Sequence, residues 1–267
     1  VEPQPTSVLR LVSPFMMPLG MKSDRITPMW VDRTPPPGTP SEYDEEAGES
    51  VPDFEEATDE EVHDFIQRAN AYPPAAICVL PVHVKLSRSL LADGILLASA
   101  AGLFPEPNGD INLRIEDVKF AISEGADEID VVLDFDAMME GREGDVRATL
   151  QALIEAAGDA PVKVILETSC LDYTEMVDAC RIALECGASF LKSSTGRRGG
   201  CTPLVAQVLA EAAGESAGIK LSGGLRTIQD VRNHLEAIEE SWPISNCTPD
   251  RFRIGASSLL DAIIENL

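Results

Sequence analysis

From Ala75 onward, short apolar, β-rich runs alternate with longer amphipathic stretches, and this alternation constrains the fold more than any other feature. The runs are 76–80, 95–98, 128–133, 162–166, 189–192, 218–221 and 252–255. Helical patterns lie between them at 114–124, 145–157, 173–186, 203–213 and 227–240. Gly125, Gly158 and Gly187 sit where such helices stop. Strands that are apolar almost throughout are buried on both faces, the condition of parallel strands covered by helices. A short run at 29–32 brings the count to eight, which favours a closed (β/α)8 barrel over an open doubly wound sheet. The expectation is an α/β protein, one TIM-barrel domain over residues 1–267.

Residues 34–61 interrupt this pattern after the first strand. They run from Thr34-Pro35-Pro36-Pro37-Gly38 into an acidic stretch, a composition that breaks regular structure and stays solvated, so they are expected to form an acidic, Pro-rich surface insertion. Its far end, Thr58-Asp59-Glu60-Glu61, fits a capping box that starts a helix with inward residues at 62, 65, 66 and 69.

Acidic residues number 45 against 21 basic ones, a net charge of −24 that argues against nucleic acid and anionic membranes as partners. The sequence has no apolar run long enough for a membrane span, and residues 1–20 lack the charged and continuous apolar regions of a signal peptide, so a cytoplasmic location is expected. Six cysteines without a CxxC pair read as reduced thiols, not as disulfides or a zinc site. His63, His83 and His234 are scattered and suggest surface or packing roles, with no metal set. Only six lysines occur, against fifteen arginines; the lysine-poor, carboxylate-rich composition fits either a salty cytoplasm or an ordinary acidic enzyme with one acidic loop.

Three of those six lysines stand inside successive apolar runs, at 163, 192 and 220, spaced 29 and 28 residues apart, one βα unit each. Burying an ammonium is costly, so a lone strand lysine reads as one that snorkels from a strand end. Three in register point to convergence near the barrel mouth. Clustered ammonium groups depress one another's pKa, and a neutral amine is what a Schiff-base nucleophile needs. Asp130, in the preceding strand, is placed to shuttle protons. Three glycine-containing segments follow the last strands: Ser194-Thr195-Gly196, Ser222-Gly223-Gly224-Leu225-Arg226 and Gly255-Ala256-Ser257-Ser258. A lone Gly-Gly is an ordinary turn; two such loops after the last two strands of a barrel suggest a phosphate site, with Arg226 adding charge or only orienting its loop.

The stretches Ala75-Ala76-Ile77-Cys78-Val79, Gly125-Ala126-Asp127-Glu128-Ile129-Asp130-Val131-Val132, Val162-Lys163-Val164-Ile165-Leu166-Glu167-Thr168, Phe190-Leu191-Lys192-Ser193-Ser194-Thr195-Gly196, Lys220-Leu221-Ser222-Gly223-Gly224-Leu225-Arg226-Thr227 and Arg253-Ile254-Gly255-Ala256-Ser257-Ser258 together cover roughly residues 75–260. In order and spacing the chain resembles the deoxyribose-phosphate aldolases, class I enzymes that interconvert 2-deoxyribose 5-phosphate with glyceraldehyde 3-phosphate and acetaldehyde. The resemblance implies Lys192 as the Schiff-base lysine, Lys220 as the second lysine that perturbs it, and Asp130 as the proton relay. Cys78 would lie beside the substrate, Lys163 and Thr195 would support it, and Asp32 and Thr34 would match the family's Asp-x-Thr segment. Phosphate would fall to Gly196, Arg197, Gly223, Gly224, Arg226, Gly255, Ser257 and Ser258. No metal or organic cofactor is implied, and the partners are a small phosphorylated sugar and aldehydes; a homodimer is compatible with a barrel of this size.

The sequence departs from the family pattern in several places. The loop 196–203 is shorter and carries two arginines, Leu80-Pro81-Val82-His83 replaces an aromatic-Pro-Arg pattern, and Phe104-Pro105-Glu106-Pro107-Asn108 replaces Phe-Pro-x-Gly. At Leu267 there is none of the tyrosine-ended tail that assists proton transfer in some members. Another Schiff-base barrel aldolase with a different phosphorylated sugar, or a non-catalytic sugar-phosphate-binding barrel, are the alternative readings.

Overall fold

The computed structural model describes residues 31–33, 57–256 and 259. Eight parallel strands close into a barrel in sequence order, each bonded to its neighbours and the last to the first. They are β1 (Val31–Arg33), β2 (Ala76–Val79), β3 (Leu96–Ala101), β4 (Glu128–Val132), β5 (Val162–Ile165), β6 (Phe190–Lys192), β7 (Gly218–Ser222) and β8 (Phe252–Ala256). The helices are α1 (Asp59–Ala71), α2 (Pro81–Leu90), α3 (Ile111–Ser123), α4 (Phe135–Met139), α5 (Glu143–Ala157), α6 (Tyr173–Glu185), α7 (Pro203–Ala213) and α8 (Ile228–Ile238).

All eight expected strands are present; the first is described from Val31. The capping box at Thr58 is formed: its side chain accepts from the Glu61 amide, and the Glu61 carboxylate accepts from the Thr58 N–H at 2.8 Å. Val62, Phe65, Ile66 and Ala69 face inward from α1, as the periodicity requires. Residues 34–56, the remainder of the expected insertion, lie outside the described residues.

The interiors of β2 to β8 are almost wholly buried, and the helices pack their apolar stripes on them to form the main core. Among the described residues no helix is long and apolar enough to cross a membrane. Two helices go beyond the sequence reading. The first, α2, starts on Pro81, whose fixed φ suits a first helical position; the second is the five-residue α4. At the β3–β4 corner the fully buried Arg114 donates to the carbonyls of Gly102 (2.9 Å), Pro107 (2.7 Å) and Val132 (2.7 Å), tying α3 to the mouth of the barrel.

Candidate active site

Side chains two apart on a strand face the same side, so Glu128 and Asp130 both point inward from β4. Asp130 is fully buried and is the meeting point of all three strand lysines. Lys163 Nζ donates to its Oδ1 at 2.9 Å, while Lys192 and Lys220 both donate to Oδ2, at 2.9 and 2.8 Å. The two ammonium groups that share Oδ2 are therefore no farther apart than those two bonds laid end to end. Lys163 also donates to Glu128 Oε2 at 2.7 Å, and Arg253 of β8 reaches Glu128 Oε1 at 3.2 Å. The Phe190 ring lies against both cations, 5.9 Å from Lys163 and 5.8 Å from Arg253.

Four cations thus crowd two carboxylates inside the barrel. Burial alone would raise the Asp130 carboxyl; Lys163, Lys192 and Lys220 outweigh it and hold Asp130 well below the usual carboxylate range. The Lys192 amine is pulled below its ordinary value, first by burial and further by Lys220, with Asp130 opposing. Burial, reinforced by Asp130, pushes the Cys78 thiol up, so it stays protonated 3.9 Å from Oδ2. Access distinguishes the lysines. The Lys192 side chain retains 5% exposure, whereas Lys163 and Lys220 retain none. Lys192 is also the last residue of β6, at the C-terminal end of the barrel, where active sites of this fold are built.

The loops above β6 and β7 are pressed together. A Cβ on Gly223 would fall 2.8 Å from both the Gly199 oxygen and Gly200 Cα, and Cys201 N–H donates to the Gly223 carbonyl at 3.0 Å. Ser193 Oγ donates to the Ser222 carbonyl at 2.9 Å, and Ser222 Oγ to that of Ser194 at 2.6 Å. Gly255 lies over the same region, where an added Cβ would meet Ser222 Cβ at 2.8 Å and Lys220 Cε at 3.2 Å.

The model of the DeoC/LacD family aldolases matches residues 46–262. Deoxyribose-phosphate aldolase 1 of Staphylococcus aureus (strain MRSA252) is 36% identical over 183 residues, 68% of this chain and 83% of that protein. The chain belongs to the DeoC/LacD aldolase family. Among solved structures, the aldolase QR15 superimposes with a TM-score of 0.68 at 27% identity, over 78% of this chain and 90% of that one. The deoxyribose phosphate aldolase of Aeropyrum pernix shares the fold, with a TM-score of 0.67 at 23% identity over 90% and 92% of the two chains.

In this DeoC/LacD aldolase Lys192, Lys220, Lys163, Asp130 and Cys78 come together in one buried cluster, and Gly223, Gly224 and Gly255 sit at the C-terminal ends of the neighbouring strands β7 and β8. Asp32 is placed by backbone register beside Ala76 and Gly255; its side chain, Thr34, Ser257 and Ser258 lie outside the described residues. The Gly196 and Arg197 amides are turned inward, onto Ser194 Oγ at 2.8 Å and Thr195 Oγ1 at 3.1 Å. Arg226 is exposed, and its amide donates to Asp230 at 3.0 Å, at the start of α8. Besides Arg114, three buried charges lie at or beside the site that the sequence does not single out: Glu128, Arg253 and Glu167. The signal for the first two was the one that marked the lysines, a charge within an apolar run. Glu167 follows its strand and carries no such signal.

Proposed function

We propose that this aldolase reversibly cleaves 2-deoxy-D-ribose 5-phosphate to D-glyceraldehyde 3-phosphate and acetaldehyde through a Schiff base on Lys192. The observation that carries this reading is the convergence of Lys192, Lys220 and Lys163 on the single buried carboxylate of Asp130. Lys163 is held by two carboxylates; Lys192, with part of one and a cationic neighbour, is the buried amine whose pKa is lowered and that gives its proton up. The neutral amine attacks the aldehyde carbon of the open-chain sugar, and loss of water leaves an iminium that accepts the electrons of the breaking C–C bond. Asp130, ionised by its three lysines, takes and returns protons beside that centre, with Lys220 as the neighbouring donor.

Support for a phosphorylated substrate is the pair of loops after β7 and β8, the position at which barrels of this kind bind phosphate. Gly223, Gly224, Gly255, Ser257 and Ser258 are the proposed ligands, with Arg197 and Arg226 adding charge; Asp32, Thr34 and Cys78 are the proposed contacts to the sugar. A cytoplasmic homodimer is the setting that fits this reading. Incubation with acetaldehyde and borohydride, followed by mass spectrometry, is expected to find a reduced two-carbon adduct on Lys192. An unmodified Lys192 would overturn the assignment.

A further inference from the structure

Glu167 is a buried charge for which the carbon–carbon chemistry has no use. Its backbone is left-handed, with φ 50° and ψ 54°, a region where glycine or asparagine is ordinary and a longer side chain is disfavoured. Ties to β6 hold it there on both sides: Leu166 N–H donates to the Lys192 carbonyl and Thr168 N–H to that of Ser193, each at 2.9 Å. Turned this way, the carboxylate is fully buried and accepts from Ser194 Oγ at 2.7 Å, from Thr195 N–H at 3.3 Å and from Thr195 Oγ1. All three donors are neutral and belong to the second and third residues of the loop between β6 and α7.

A hydroxyl has one proton to donate. With both protons given to Glu167, Ser194 Oγ and Thr195 Oγ1 turn their lone pairs to the amides of Gly196 and Arg197, which folds the loop back on itself. The Gly199 carbonyl, 3.0 Å from Ser194 Oγ, is the acceptor that would claim the serine proton if the carboxylate were lost. Gly199 and Gly200 in turn press on Gly223. The carboxylate therefore sets the loop that the Gly223-Gly224 turn leans on, without itself lying in the lysine cluster.

We propose that Glu167 is a positioning residue for the phosphate group of the substrate, acting through residues 194–201 on the Gly223-Gly224 turn. This rests on the phosphate reading above and deepens it. Glu167→Gln keeps the shape but sets an amide N–H against a donor. It is expected to raise KM for 2-deoxyribose 5-phosphate by about tenfold, the pattern of a lost uniform binding contribution, while kcat and turnover of unphosphorylated 2-deoxyribose stay within about twofold. Ser194→Ala, which removes one bond and leaves the charge, is expected to show the same phosphate-selective rise at smaller size and serves if Glu167→Gln fails to fold. Equal losses on both sugars, or no change on either, overturn the proposal. Calorimetry with inorganic phosphate separates the two readings. Wild-type protein that binds phosphate but leaves the sugar intact counts against the substrate, whereas unchanged phosphate affinity in Glu167→Gln counts against Glu167.

Discussion

In the proposed mechanism, the way one carboxylate is divided among three ammonium groups decides which lysine reacts. Lys163 has Glu128 as a second partner, while Lys192 and Lys220 share a single oxygen of Asp130. In the proposed mechanism Lys192 must be neutral to attack, so adduct formation is expected to climb as pH rises through its pKa, which lies below 10.5 chiefly because of burial and further because of Lys220. Lys220→Met removes the neighbouring charge and returns more of Asp130 to Lys192. Both effects make Lys192 hold its proton longer, so the rise in acetaldehyde adduct formation is expected to move to higher pH, with turnover at neutral pH reduced on the order of 10²-fold. A pH profile that stays put or moves down contradicts the sharing of Asp130. The lysines were legible because an ammonium in an apolar strand needs a reason; Glu128 and Arg253 sit in similar runs, but a charge near a strand end also reads as solvated. That Glu128 lies between Lys163 and Arg253 is a matter of packing across the barrel.

At the level of elements, strand and helix positions followed the apolar pattern closely, with differences where local signals are weak. Helix α3 begins at Ile111, ahead of the expected 114, because Asp110 accepts from the Asn112 amide and caps it. The N-cap of α2 is Leu80, with no side-chain bond to mark the start, and α4 is only five residues long. Arg114 shows what an element can owe to one side chain: three carbonyls from the β3–α3 loop and the end of β4 depend on its guanidinium. Arg114→Met keeps much of the bulk but strands those carbonyls, and a loss of ~3–5 kcal/mol in urea unfolding is expected. A loss below about 1 kcal/mol would mean that water replaces the guanidinium without difficulty.

For the whole molecule the governing electrostatic property is a net charge of −24, which opposes compaction through self-repulsion. The screening length falls from about 10 Å at 0.1 M salt to about 3 Å at 1 M. The thermal midpoint is therefore expected to rise by a few degrees, about 2–4 °C for each kcal/mol of repulsion relieved, as KCl increases over that range. A midpoint highest at the lowest salt would show that specific ion pairs outweigh the repulsion.

The sequence by itself determined the parallel barrel, the inward lysines and the glycine turns, because apolar alternation, burial cost and backbone freedom are local properties. Only the tertiary structure decided which groups meet. Asp130 lies 33, 62 and 90 residues from the lysines it binds, and closing the barrel with a particular register brings them to it. The same holds for Glu167, 27 and 28 residues from the hydroxyls it orients, whose buried carboxylate has meaning only once the β5 and β6 ends lie side by side. Lys192 was identifiable as a candidate nucleophile from its strand; its lowered pKa and its access follow from its neighbours in space.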